Sequence, residues 1–121
     1  MFEGTLITES LRTGSALDGL NLVVRRIARY APGGTTEDQP GIWTAIEFEL
    51  ADGDAEALAG TLAAVLDEPG WYANFQSPEV AFVVFRDKVF RYPRGDPAGR
   101  AAAQAHGRKM GVPEPQLDWT V

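Results

Sequence analysis

Apolar and polar positions change their period several times along the chain, and each change marks an element. From Leu6 to Leu11, Leu6, Thr8 and Ser10 alternate with Ile7, Glu9 and Leu11, the period-two signature of a half-buried strand. Thr13-Gly14-Ser15 and Asp18-Gly19 then supply turn residues. A β-branched run from Leu20 to Tyr30 predicts a second strand, with Leu22, Val24, Ala28 and Tyr30 on one face and Val23 and Ile27 on the other. Arg25, Arg26 and Arg29 lie inside that run. Ala31 to Gly41 holds three glycines and two prolines and reads as a long loop, either functional or mobile.

Ile42 to Leu50 alternates cleanly: Ile46, Phe48 and Leu50 face one way, Trp43, Ala45, Glu47 and Glu49 the other. Asp52-Gly53-Asp54 opens a helix with Asp54 as N-cap and Glu56 in the first turn. Its buried stripe is Leu58, Leu62, Val65 and Leu66, and Pro69-Gly70 closes the segment. Trp71 to Gln76 reads as a short aromatic strand. Val80–Phe85 is apolar almost throughout, as a central strand would be, and Arg86-Asp87-Lys88 turns it back as Val89-Phe90-Arg91-Tyr92. Asp96-Pro97 is the strongest helix start in the chain, an Asp cap followed by Pro at the first helical position. That helix runs from about Pro97 to Met110, with Ala98, Ala101, Ala102 and Ala105 as its expected packing face and Gly111 as its stop. In the tail, Leu117 and Trp119 are expected to fold back onto the body.

The element order is therefore βββαβββα. It predicts an α+β fold: an antiparallel or mixed sheet of five to six strands with both helices on one face. The segment from Trp43 to Met110 matches part of a ferredoxin-like βαββα arrangement. The other sheet face is expected to be open, covered by the first hairpin, or buried in a dimer.

Composition narrows the function classes. The chain has 121 residues, 45% hydrophobic and 23% charged, as a single folded domain 1–121 requires. It has no cysteine, which excludes disulfides, a thiolate nucleophile and thiolate-ligated zinc. No window approaches the ~18 apolar residues of a membrane span, and Met1-Phe2-Glu3-Gly4-Thr5 lacks a secretory leader pattern. A cytoplasmic protein with no membrane partner is the expectation. Arginine outnumbers lysine 9 to 2 and alanine and glycine are abundant, a bias typical of GC-rich genomes with no mechanistic content.

The net charge of −6 disfavours a nucleic-acid partner. The charge is unevenly placed. Residues 41–79 carry eight acids and no base, whereas residues 80–110 carry seven bases against Asp87 and Asp96. Two such blocks either neutralise each other side by side or present a polar surface to a partner.

Several residues invite a chemical reading, each with a structural alternative. His106, the lone histidine, lacks a Ser or Cys at a motif spacing and reads as a helix residue at the boundary of the core. Glu47 and Glu49 stand about 6.6 Å apart along one strand face, but pairing with Arg25, Arg26 or Arg29 across neighbouring strands accounts for them. Arg91, Arg94 and Arg100 flank the start of the second helix, where Asp96 already fills the cap and would repel an anion. Gly33-Gly34 lacks the spacing and the lysine of a phosphate loop. The aromatic residues are the most suggestive set: Trp43, Trp71, Tyr72 and Tyr92 with Asn74 could line a small-molecule pocket, although aromatic rings commonly just fill a core.

No named family's motif set is met. The stretch from Val89 to Asp96, together with Gln116-Leu117-Asp118-Trp119, resembles short proteins of GC-rich bacteria, and that likeness implies no activity. The expected function is a non-enzymatic protein-interaction or accessory domain that binds another protein or pairs with itself as a homodimer. The alternative is a small-molecule-binding protein or cofactor-free enzyme whose pocket gathers Trp43, Trp71, Tyr72, Asn74, Tyr92 and Arg94. No catalytic residue, metal ligand or cofactor is assigned.

Overall fold

The computed structural model describes residues 1–120. Six strands, β1 (Phe2–Ile7), β2 (Val23–Tyr30), β3 (Trp43–Leu50), β4 (Ala73–Gln76), β5 (Val80–Phe85) and β6 (Lys88–Pro93), form one sheet. Helix α1 (Ala55–Val65) follows β3 and helix α2 (Pro97–Lys109) follows β6. The α+β class and the element order are those predicted. The sheet order is β2-β3-β1-β4-β5-β6, and each neighbouring pair is antiparallel.

The first strand starts earlier than the alternation suggests. β1 covers Phe2–Ile7, and Thr8–Ser10 coil into a 3-10 turn in which the Ser10 hydroxyl donates to the Ile7 carbonyl. That local bond favours the turn, so Thr8 to Ser10 leave the strand conformation, and Leu11, extended again, pairs with Leu66 in an isolated bridge. β2 likewise begins at Val23 rather than Leu20, and a bulge between Val24 and Arg26 shifts its register on β3. The bulge moves Val24 onto the face of Ile27, not that of Ala28 and Tyr30.

The two helices lie on opposite faces of the sheet, not together on one. On the first face Phe2, Leu6, Phe48, Leu50, Phe75, Phe82 and Val84 pack with Leu58 and Leu62 of α1. On the second, Ala81, Val83, Phe85 and Tyr92 pack with Ala103 of α2 and with Val112, Leu117 and Trp119. The reason is written in β5: residues 81–85 are all buried, so both of its faces need a cover. β3 and β4 both run antiparallel to β1 between them, so β3–α1–β4 is a split β-α-β unit. The ferredoxin-like likeness ends there, because β4-β5-β6 continues as a meander and α2 sits across the sheet from α1.

The helices differ from expectation in detail. α1 buries Leu58, Leu62 and Val65 as the periodicity predicts, together with Ala55 and Ala59. Asp54 stands at its N-cap, but the preceding 3-10 turn Asp52–Asp54 leaves its side chain without a capping bond. In α2 the Asp96 carboxylate accepts from the backbone N–H of Ala98 and of Gly99. Its packing face is Gly99, Ala103 and Gly107, while Ala98, Ala101, Ala102 and Ala105 face solvent. A Cβ on Gly99 would lie 2.5 Å from the Tyr92 Cβ, and one on Gly107 2.7 Å from Leu117 Cδ2. Closeness of approach, rather than alanine content, selects the seat of this helix.

α2 and the tail cover the second face only over β5 and β6. Across β4, β1, β3 and β2 no helix covers that face, although Trp43 and Ala45 on it are buried.

Candidate functional site

The open part of the second face carries Asn74 and Gln76 of β4, Glu3, Thr5 and Ile7 of β1, and Trp43, Ala45, Glu47 and Glu49 of β3, since residues paired across an antiparallel ladder share a face. Three irregular segments rise around one end of it: the loop 31–42, the turn before β4, and the tail after α2. Between them lies a cavity of about 330 Å³. Thr5, Ile7 and Asn74 line it from the sheet, and Tyr30, Trp43, Trp71 and Tyr72 line it with rings. Pro32 and Gly33 of the loop and Pro115, Gln116 and Asp118 of the tail complete the rim.

Two glutamines fasten these walls together. The Gln39 Nε2 donates to the Gly70 carbonyl at 3.0 Å and to Gln116 Oε1 at 3.1 Å. Gln116 Nε2 donates in return to Gln39 Oε1 at 2.8 Å and to the Gly34 carbonyl at 3.2 Å. Gln39 is buried, so each of these bonds also spares a polar group from going unpaired. The long loop is thus pinned to the turn and the tail, and it serves as a wall.

The rings are held from behind. Trp43 and Trp71 lie 5.1 Å apart between centroids with a 51° tilt, and Tyr30 meets Trp43 edge-on at 6.4 Å. Trp43 Nε1 donates to the Pro40 carbonyl at 2.9 Å, which fixes the indole against the loop. Tyr72 packs on Trp119 at 5.0 Å and its hydroxyl donates to the Gln116 carbonyl. Burial, reinforced by the Asp118 carboxylate, pushes the Tyr72 phenol well above its ordinary pKa and keeps it neutral. Asn74 and Asp118 have no side-chain hydrogen bond or ion pair among the described residues. Their polar atoms are available to a ligand.

Four of the six residues expected to form a pocket, Trp43, Trp71, Tyr72 and Asn74, line this one cavity. Tyr92 and Arg94 do not. Tyr92 is buried under α2, where its hydroxyl accepts from Trp119 Nε1 at 2.9 Å. Arg94 Nη1 donates to the Ser77 carbonyl at 3.2 Å, bracing the turn between β4 and β5. β6 lies two strands beyond β4, which puts both residues out of reach. Sequence reasoning missed Tyr30, Gln116 and Asp118, although the loop length and the anchoring pair Leu117 and Trp119 pointed to the segments that carry the last two.

Beyond Thr5, which borders both, a second concavity continues along the same face between Glu3, Glu47, Glu49, Gln76 and Arg25. Arg25 reaches Glu49 at 2.8 Å and Arg26 reaches Glu47 at 2.9 Å, the cross-strand pairs the spacing predicts. The guanidinium of Arg25 holds the Glu49 carboxyl below its usual range. These glutamates are structural. Among the described residues no three His, Cys, Asp or Glu side chains converge as a metal site would require.

His106 packs edge-on against Phe85 at 4.9 Å and at a tilt against Phe90 at 5.4 Å, away from the cavity. Burial, with Lys109 and Lys88 nearby, pushes its pKa down and leaves the imidazole neutral. No helix is long and apolar enough to cross a membrane among the described residues. Comparison with protein-family models, curated proteins and solved structures finds no match to this chain.

Proposed function

We propose that this protein binds a small molecule in the cavity between the open sheet face, the long loop and the tail, and does so without catalysing a reaction. The observation that supports this most is convergence: four rings and the uncommitted polar groups of Asn74 and Asp118, drawn from five separate segments, border one space of about 330 Å³. That combination of apolar wall and few polar anchors, at a volume in the range of small-ligand sites (~300–1,000 Å³), is the usual form of a binding pocket.

The test is a chemically mixed library of cationic, neutral and anionic compounds, followed through the indole N–H resonances of the three tryptophans. Binders are expected to shift Trp43 and Trp71 together. Thr5→Phe, at an exposed strand position on the cavity floor, should fill the space and abolish those shifts while leaving the fold intact. Failure of every compound, whatever its charge, to move both resonances refutes the reading.

A second reading is association with another protein or a second copy along β2. Its support is the exposure of Val24 and Ile27, 50% and 64%, on an edge strand. It ranks below the pocket because it has an apolar surface but no shaped recess.

A further inference from the structure

We infer that the cavity is selective for an organic cation, an alkylated ammonium group carried on a small apolar body. The inference rests on the ligand-binding reading above and adds the class of ligand.

Charge is the first argument. Of the described residues lining the cavity only Asp118 is charged, and its carboxylate has no cationic partner among the described residues. An anion would therefore meet one unpaired negative charge and no lysine or arginine. A cation would find an acceptor already in place. In the adjoining concavity Glu47 and Glu49 are taken up by Arg26 and Arg25, so Glu3 remains as the excess charge. The whole chain carries −6, which adds a long-range field of the same sign.

The rings are the second argument. Tyr30, Trp43, Trp71 and Tyr72 all border the space, and tryptophan has the most negative ring face of the natural side chains. Aromatic quadrupoles attract a cation whose charge is spread over alkyl groups and whose hydration is weak, without demanding directional hydrogen bonds. Several directional donors here are already spent: the Tyr72 hydroxyl on Gln116, the Trp43 indole on Pro40, and both Gln116 amide protons on Gln39 and Gly34. What the cavity offers is ring surface, one carboxylate, the Asn74 amide, the Thr5 and Tyr30 hydroxyls and the Trp71 indole N–H. A compact ammonium ion such as a lysine side chain is strongly hydrated and loses much on entering a space walled by rings. An alkylated ammonium is weakly hydrated and loses less.

Acetylcholine and its uncharged carbon isostere 3,3-dimethylbutyl acetate, a soluble pair of equal shape, separate charge from fit. Titrated against the wild-type protein on the Trp43 and Trp71 indole resonances, the cation is expected to bind at least about fivefold more tightly than the isostere. Asp118→Asn, at an exposed tail position, should remove most of that preference, read as the ratio of the two affinities within the variant. Equal affinities, or a preference untouched by Asp118→Asn, overturn the inference, and the isostere's own binding then upholds the pocket. Binding of neither compound also overturns it, while the neutral and anionic members of the mixed library decide separately whether the cavity binds anything.

Discussion

Two residues decide where α2 sits by what they lack. Gly99 and Gly107 bring the helix so close to Tyr92 and Leu117 that a Cβ would fall 2.5 and 2.7 Å from their carbon atoms. On helix propensity alone, glycine to alanine in a helix gains about 1 kcal/mol. At Gly99 the contact overrides that gain, because the clashing atoms are Cβ and Cγ of Tyr92, near the backbone and unable to swing away. Gly60 in α1 is the matched control: exposed, with nothing within 4 Å of its would-be Cβ. We expect Gly60→Ala to raise stability by about 0.5–1 kcal/mol in urea unfolding and Gly99→Ala to lower it by about 1–3 kcal/mol. Equal gains for the two would show that α2 can lift off the sheet freely. The composition of α2 directs attention to its alanines, whereas its contact surface is set by the partner strand, and propensity carries no information about that.

Element by element, most local signals match the structure, the Leu6–Leu11 alternation and the Asp54 capping bond excepted, and the layering does not. The Asp96-Pro97 start, the Leu58–Leu62 stripe and the Arg–Glu ladder between β2 and β3 all depend on neighbours in sequence or on simple alternation. Which face each helix covers depends on the whole sheet. Even so, the signal was present: an apolar run along β5, without alternation, means a strand covered on both sides. β2 shows the opposite pattern, exposed along most of its length with Val23, Val24 and Ile27 open to solvent. A bulge at Val24/Arg26 and the charges of Arg25, Arg26 and Arg29 are the features that keep such edges from pairing. Sedimentation equilibrium should therefore report a monomer at tens of micromolar. A dimer that Ile27→Lys dissociates would instead favour the association reading, since Ile27 is the most exposed apolar residue of the strand.

On the scale of the molecule, the cavity draws on the loop, the sheet, the turn and the tail, and of its lining the sequence makes legible only Asn74 and the rings of Trp43, Trp71 and Tyr72. Aromatic residues announce themselves in any sequence, but Asp118 and Gln116 acquire meaning only once Leu117 and Trp119 seat the tail beside Tyr72. Tyr92 looked equivalent to the others and went to the core beneath α2 instead. The same long-range packing sets the response to acid. Although burial opposes it, Glu9 is held below 4.5 by the Thr44 backbone N–H at 2.6 Å and the Thr8 hydroxyl. Its contribution to stability is complete above 4.5 and drains away as pH falls through the lower folded value. His106 is held below 6.5 by burial and two lysines, so the unfolded chain takes up a proton first and stability starts to fall once pH drops under 6.5. The two act in the same direction. Thermal midpoints should be flat from 6.5 to about 9, short of the range where unfolded tyrosines ionise, and decline in two stages below 6.5, and His106→Gln should remove the upper stage alone. A variant profile identical to wild type would mean that the imidazole between Phe85 and Phe90 accepts its proton in the folded state as readily as in the unfolded chain, and that burial there does not exclude charge.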